Sequence, residues 1–256
     1  MVRTFQETVG IFILFLVALI HAVVLPTIEI ILFQHSKDLQ KVYLEKNYGS
    51  RDAFDTVKFI LVNLGFYNVM CGLAVAYAVY AESTDLLRAL MYVFIGNGLI
   101  GLYLSLENYF GALSRAIPAA VALGYLKFLP NSVPKRVDMP WSVVLIPVIL
   151  HFVFFVLESV LFPTSKFVQK MFVGKAASSP MAVDASKQLL FRQGFYNLFL
   201  AFGTIYGLVV ENNTVVRCFM MIVLGASLVL VISAPKLYRG ALIQGGPALL
   251  VLYVLF

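Results

Sequence analysis

Long apolar runs separated by short polar stretches set the pattern of this chain. Eight runs stand out, at about 8–33, 57–81, 86–106, 108–129, 141–162, 187–210, 214–234 and 237–256. Each is close to the ~20 residues that carry a helix across about 30 Å of hydrocarbon. The runs are apolar all round and lack the alternation that marks transmembrane β-strands. A helix satisfies its own backbone in lipid, so the pattern predicts an all-α integral membrane protein with eight transmembrane helices. Two polar stretches are long: "QHSKDLQKVYLEKNYGSRDAFDTVK" after run one and "PTSKFVQKMFVGKAASSPMAVDASK" after run five. Both have room for a short interfacial helix. In the second, Phe167, Met171 and Phe172 lie near Lys166, Lys170 and Lys175, a mixture suited to a headgroup layer.

The runs repeat. Shifted by 129 residues, 65–127 aligns with 194–256 without a gap and with roughly eighteen identities in those 63 positions. Gly65-Phe66-Tyr67-Asn68 meets Gly194-Phe195-Tyr196-Asn197, Glu82 meets Glu211, Arg88 meets Arg217, and "GALSRAIPA" meets "GALIQGGPA". Self-similarity at a fixed period marks a duplicated unit. The predicted organisation is a first four-helix repeat at 1–129, a Pro- and charge-rich linker at 130–140, and a second four-helix repeat at 141–256. Trp141 opens the second unit at interface depth. Four crossings return the chain to its starting side, so the two units are expected to be parallel, related by a pseudo-two-fold axis along the membrane normal.

Composition supports the same class. With 61% hydrophobic and 12% charged residues and a mean hydropathy of +0.91, the chain lies far from soluble domains. The net charge of +6 therefore reads as loop asymmetry and anionic lipid, not as nucleic-acid binding. Thirteen of the 19 Lys and Arg fall on the side of loops 34–56 and 163–186, which predicts those loops on the cytoplasmic or matrix side and both termini outside. The first run is too long for a signal-peptide core, and no Arg/Ser-rich transit segment precedes it. Cys71 and Cys218 do not match at the 129-residue shift and read as small apolar residues. The sequon at 212–214 sits in a loop too short for ready glycosylation.

Candidate chemistry lies in polar groups inside the runs. His151 and Glu158 are seven apart and project from one helix face. His21 and Glu29 are eight apart, with Pro26 between them, and a proline kink is expected to absorb the extra residue. Asn68 and Asn197 lie at similar depth, and Arg115 stands where the second unit has Gln244. One reading is a proton relay or a small polar ligand site; the other, which the pattern favours, is interhelical hydrogen bonding. Glu29 and Glu158 could also pair with Lys37 or Lys166 near the interface. Gly65, Gly194, Ala74, Ala78, Gly203 and Gly207 read as helix-contact positions, and Pro118 and Pro247 as mid-helix kinks. No metal, cofactor or catalytic constellation stands out, so an enzyme is not expected.

The motifs "HFVFFVLE", "RQGFYNLFLAFG" and "GALIQGGPALL" resemble a family of small bacterial four-span membrane proteins of unknown function, the domain-of-unknown-function family 1304. Those chains are about half this length. Arg192 stands in place of the family's first Asn. The first unit departs further: Leu64 and Arg115 each replace a Gln. The resemblance implies a tandem fusion and brings no activity. The expectation is a non-catalytic accessory or structural subunit of a larger membrane complex, with membrane lipids and protein partners, assigned to the mitochondrial inner membrane. A transporter or channel for a small polar or amphipathic solute is the alternative, and a continuous polar cavity between the halves would mark it.

Overall fold

A computed structural model describes residues 4–104, 109–129 and 141–255; the expected linker at 130–140 lies outside them. No strand occurs among the described residues. Among the described residues, and leaving aside short 3-10 turns, ten helices follow one another: α1 (Phe5–His35), α2 (Lys37–Leu44), α3 (Arg51–Tyr80), α4 (Thr84–Leu104), α5 (Tyr109–Tyr125), α6 (Trp141–Leu161), α7 (Lys166–Val173), α8 (Pro180–Val209), α9 (Asn213–Ser233) and α10 (Tyr238–Leu255). The boundaries of α2, α3 and α4 recur at a shift of 129 in α7, α8 and α9. Local chemistry explains the recurrence. Ser36, Ser50, Ser165 and Ser179 each cap a helix, their hydroxyls accepting from the backbone N–H three residues on. Glu45 and Gly174 end α2 and α7 with φ of 48° and 58°, and Glu82 and Glu211 turn α3 into α4 and α8 into α9 with φ of 50° and 51°.

Among the described residues six helices are long and apolar enough to cross a membrane: α1, α3, α4, α6, α9 and α10. The sequence reading expected eight. The two others differ for physical reasons. α5 has only seventeen described residues. α8 is thirty residues long but carries Asp184, Lys187, Arg192 and Gln193 in its N-terminal half. It packs against α3, α4, α6 and α9. The two polar stretches hold the short helices α2 and α7, as their composition predicted.

The core runs between α3 and α8. They lie side by side in the same direction, because contacts join them at both ends and in the middle. Near their starts Asn47 donates to Asp184 at 3.1 Å; midway Tyr67 donates to Asn197 at 3.2 Å; beyond their ends Asn212 donates to Asp85 at 3.1 Å. The Asn of the sequon is thus buried and already bonded. α3 also packs on α9, and α8 on α4. There Gly96 lies under the Phe199 ring and Gly225 under Met70, equivalent contacts in which each glycine admits a side chain from the other half. Cys71 and Cys218 are free and buried in this core. The outer helices turn Phe12, Phe15, Ile149, Ile232 and Leu249 outward.

The small residues read as helix contacts lie against neighbouring helices. A side chain at Gly65 would meet Ile30 and Pro26, and one at Gly194 would meet Ser159 and Glu158. Gly203 faces Phe219, Gly207 faces Val215 and Val216, and Ala74 and Ala78 are buried. Small residues at such positions let helices approach closely, which in lipid supplies the packing energy. Pro118 and Pro247 stand inside α5 and α10 without ending either helix.

One expectation needs correction. The extra residue between His21 and Glu29 is not absorbed by a proline kink alone. α1 contains two π-helical turns, Ile20–Val24 and Thr27–Leu32, on either side of Leu25-Pro26. α6 contains one, Val156–Leu161, which matches the second at the 129-residue shift. A π turn accommodates one extra residue within an α-helix. The additional turn in α1 therefore takes up the insertion and leaves Glu29 and Glu158 in equivalent places.

Candidate functional site

The polar groups of the core gather in one buried layer. Glu29, from the shared π turn of α1, accepts from Arg115 Nη2 of α5 at 3.0 Å on Oε1 and from Asn68 Nδ2 of α3 at 2.8 Å on Oε2. Arg192 Nη2 of α8 stands 3.9 Å from the same Oε1. The Asn68 carbonyl oxygen accepts from the Tyr196 hydroxyl at 2.6 Å. Around Glu158 the scheme is similar but not the same. Its carboxylate accepts from Asn197 Nδ2 at 2.8 Å and Gln193 Nε2 at 2.9 Å. The Asn197 carbonyl oxygen accepts from the Tyr67 hydroxyl, which in turn accepts from Gln244 Nε2 at 2.9 Å.

Each tyrosine bonds the asparagine of the opposite half, and the two rings stack with centroids 5.6 Å apart. Tyr67 and Tyr196 correspond at the repeat shift, as do Asn68 and Asn197, so this is a reciprocal exchange. It follows from position: Tyr precedes Asn on α3 and α8, so that when Asn turns to its own π turn, Tyr faces across the core. All these side chains are buried, where an unsatisfied polar group would cost several kcal/mol.

The structure brings together Glu29, Asn68 and Arg115, and separately Glu158 and Asn197. It corrects the rest of the predicted cluster. His21 and His151 do not join it. Each uses Nδ1 to donate to the carbonyl four residues back, Val17 at 3.0 Å and Pro147 at 2.7 Å. Their Nε2 atoms are buried without a partner, and the His21 ring stacks on Phe94 at 3.6 Å. Gln244 reaches Glu158 only through Tyr67 and Asn197. Glu29 does not pair with Lys37, nor Glu158 with Lys166.

Arg192 and Gln193 were missed as site residues. The signal for both was present: an arginine and a glutamine inside an apolar run, four or five residues before Asn197, where polar groups are expensive and turn inward. Arg192 sits in the second half yet directs its guanidinium to the carboxylate of the first. Its equivalent, Asn63, instead bonds its own helix at Phe59. Among the described residues no group of three His, Cys, Asp or Glu side chains could hold a metal ion.

A family model described as "Protein of unknown function (DUF1304)" matches twice, over residues 15–126 and 145–256. The chain belongs to the DUF1304 family. Two matches of this extent make it a tandem duplication of the DUF1304 unit, with Glu29, Asn68 and Arg115 in the first copy and Glu158, Asn197 and Gln244 in the second. No curated protein and no solved structure matches the chain.

Proposed function

We propose that this duplicated DUF1304 protein is a non-catalytic structural subunit of a larger membrane assembly. In this reading eight helices cross the bilayer as two parallel four-helix units, 1–129 and 141–256. α5 and α8 cross because Arg115, Arg192 and Gln193 turn to the buried carboxylates, while Asp184 and Lys187 stay at the headgroup end of α8. The parallel arrangement is supported by the contacts that join α3 to α8 at matching depths, from Asn47–Asp184 to Asp85–Asn212.

The observation that carries the functional reading is the reciprocal Tyr–Asn exchange. Tyr67, Tyr196, Asn68 and Asn197 fill the space between the units and use one another's hydrogen-bonding capacity. A solute pathway at this interface would need open polar volume between the tyrosines and asparagines. A buried layer whose members are bound to one another instead fixes how helices meet. What remains free to act is the outer surface, where partners bind.

Purification of the full chain in mild detergent tests the reading. A stable, stoichiometric co-purifying protein is the expected result. A monodisperse lone monomer that supports solute flux in proteoliposomes, lost in Glu29→Gln, would reject it in favour of transport. Membrane-impermeant labelling of single cysteines at Lys41 and Lys166 tests the topology: both are expected to label from the cytoplasmic or matrix side.

A further inference from the structure

The two copies differ in surface chemistry beside the short helices α2 and α7. Around α7 an open groove of about 1160 Å³ lies between that helix, the Gly174–Ser178 turn, the start of α8 and the Lys46–Asn47 segment. Its lining includes Lys46, Lys166, Lys170, Lys175, Lys187 and a single acidic residue, Asp184. Asp184 is already engaged, by Lys46 at 3.2 Å, Lys187 at 3.5 Å and Asn47 at 3.1 Å. Among the described residues, Lys166, Lys170 and Lys175 meet no carboxylate within ion-pair distance.

The first copy has equivalent lysines, but with acidic residues in the same stretch. Lys37 and Lys41 are the equivalents of Lys166 and Lys170; there Asp38 pairs with Lys41 at 3.8 Å, and Glu45 accepts from Gln188 Nε2 at 3.5 Å. At those two acidic positions the second copy has Phe167 and Gly174. The exchange removes two negative charges and adds an aromatic ring that is 79% exposed. Met171 and Met181 are exposed near it. Four residues separate the end of α6 from the start of α7, so the groove lies at the end of a membrane-crossing helix, at headgroup level. Unpaired lysines beside an exposed apolar ring call for a ligand that is anionic at one end and greasy at the other.

We propose that this groove beside α7 is a binding site for the phosphate-bearing headgroup of an anionic phospholipid. Lys166, Lys170 and Lys175 hold the phosphate, and Phe167 and Met171 lie along the first segment of the acyl chains. The site rests on membrane insertion of the chain, not on the structural-subunit reading.

Native mass spectrometry of the detergent-solubilised full chain with added phosphatidylglycerol, against phosphatidylcholine, tests it. Wild type is expected to prefer phosphatidylglycerol. Charge near a lipid surface contributes roughly fivefold per lysine, so the K166Q/K170Q/K175Q variant is expected to lose on the order of a hundredfold in affinity. The first-copy variant K37Q/K41Q is expected to bind as wild type. F167D is expected to weaken phosphatidylglycerol binding too. An unchanged triple variant, or equal losses in the two copies, overturns the proposal. So does competition by soluble glycerol phosphate at the strength of the lipid, which would make this a free-phosphate site. Unfolding midpoints equal to wild type verify that these exposed substitutions leave the fold intact.

Discussion

Glu29 and Glu158 occupy the same π turn of equivalent helices, and each accepts from the asparagine of its own copy. Their other neighbours separate them. Glu29 lies between two guanidiniums, Arg115 at 3.0 Å and Arg192 at 3.9 Å, one of them lent by the second copy. Glu158 is held by neutral amides alone among the described residues. The backbone around the two is the same and the electrostatics are not. Duplication has kept the geometry of the turn while the charges that balance it have moved to one side.

The largest effect is expected where the charges are. Glu29→Ala strands two buried cations, at a cost of roughly 3–5 kcal/mol. Glu158→Ala strands only amide donors and costs about 1–3 kcal/mol. Denaturant titration in mixed micelles measures both, and equal losses would erase the distinction between the copies.

Backbone contact comes next. Gly194→Ala puts a methyl group against Ser159 Oγ and is expected to cost about 1–3 kcal/mol, with partial rescue by a second change, Ser159→Ala. Gly246, which faces open space, serves as the contrast: Gly246→Ala is expected to be neutral or to stabilise by about 0.5–1 kcal/mol. The same titration reads all three variants.

Smaller again are the exchanged hydroxyls. Tyr196→Phe removes one interhelical bond, about 0.6–2 kcal/mol. Tyr67→Phe removes the equivalent bond and also the acceptor of Gln244, so its loss is expected to be the larger. The reverse order would show that Gln244 finds another partner.

The smallest effect is a pH dependence at the membrane edge. The hydrogen bond from Asn47, followed by Lys46, holds the Asp184 carboxyl below its ordinary value. A lowered carboxyl stabilises the fold above the unfolded-state pKa near 3.9, and the contribution disappears as pH falls through the lower folded value. The midpoint difference between wild type and Asp184→Asn is therefore expected to be constant near neutrality and to vanish as the solution is acidified below about pH 4.

Much of the fold was legible because membrane helices must be apolar and because the repeat doubled each signal. Ser36 and Ser165, or Gly65 and Gly194, would be weak markers singly; 129 residues apart they predict each other. The asparagines and Glu29 with Arg115 were legible because a polar group in an apolar run has few places to go. The histidines misled for the same reason. The sequence shows that a polar ring is buried, not that a carbonyl one turn back will satisfy one of its nitrogens. Arg192 was illegible as a partner of Glu29 because their contact crosses between copies, and no spacing within one copy encodes it. α8 is less apolar than the other long helices because Arg192 and Gln193 turn to the two buried carboxylates while Asp184 and Lys187 line the groove beside α7.

The additional π turn of α1 bears on how chains of this kind are compared. One residue added to a regular helix rotates everything beyond it by about 100°. Here the widened turn beside Pro26 swallows the newcomer, so the carboxylate downstream keeps its bearing while the imidazole upstream shifts by one place in the count. Two relatives aligned without a gap would appear to have lost the histidine. Superposed in space, they would both have it.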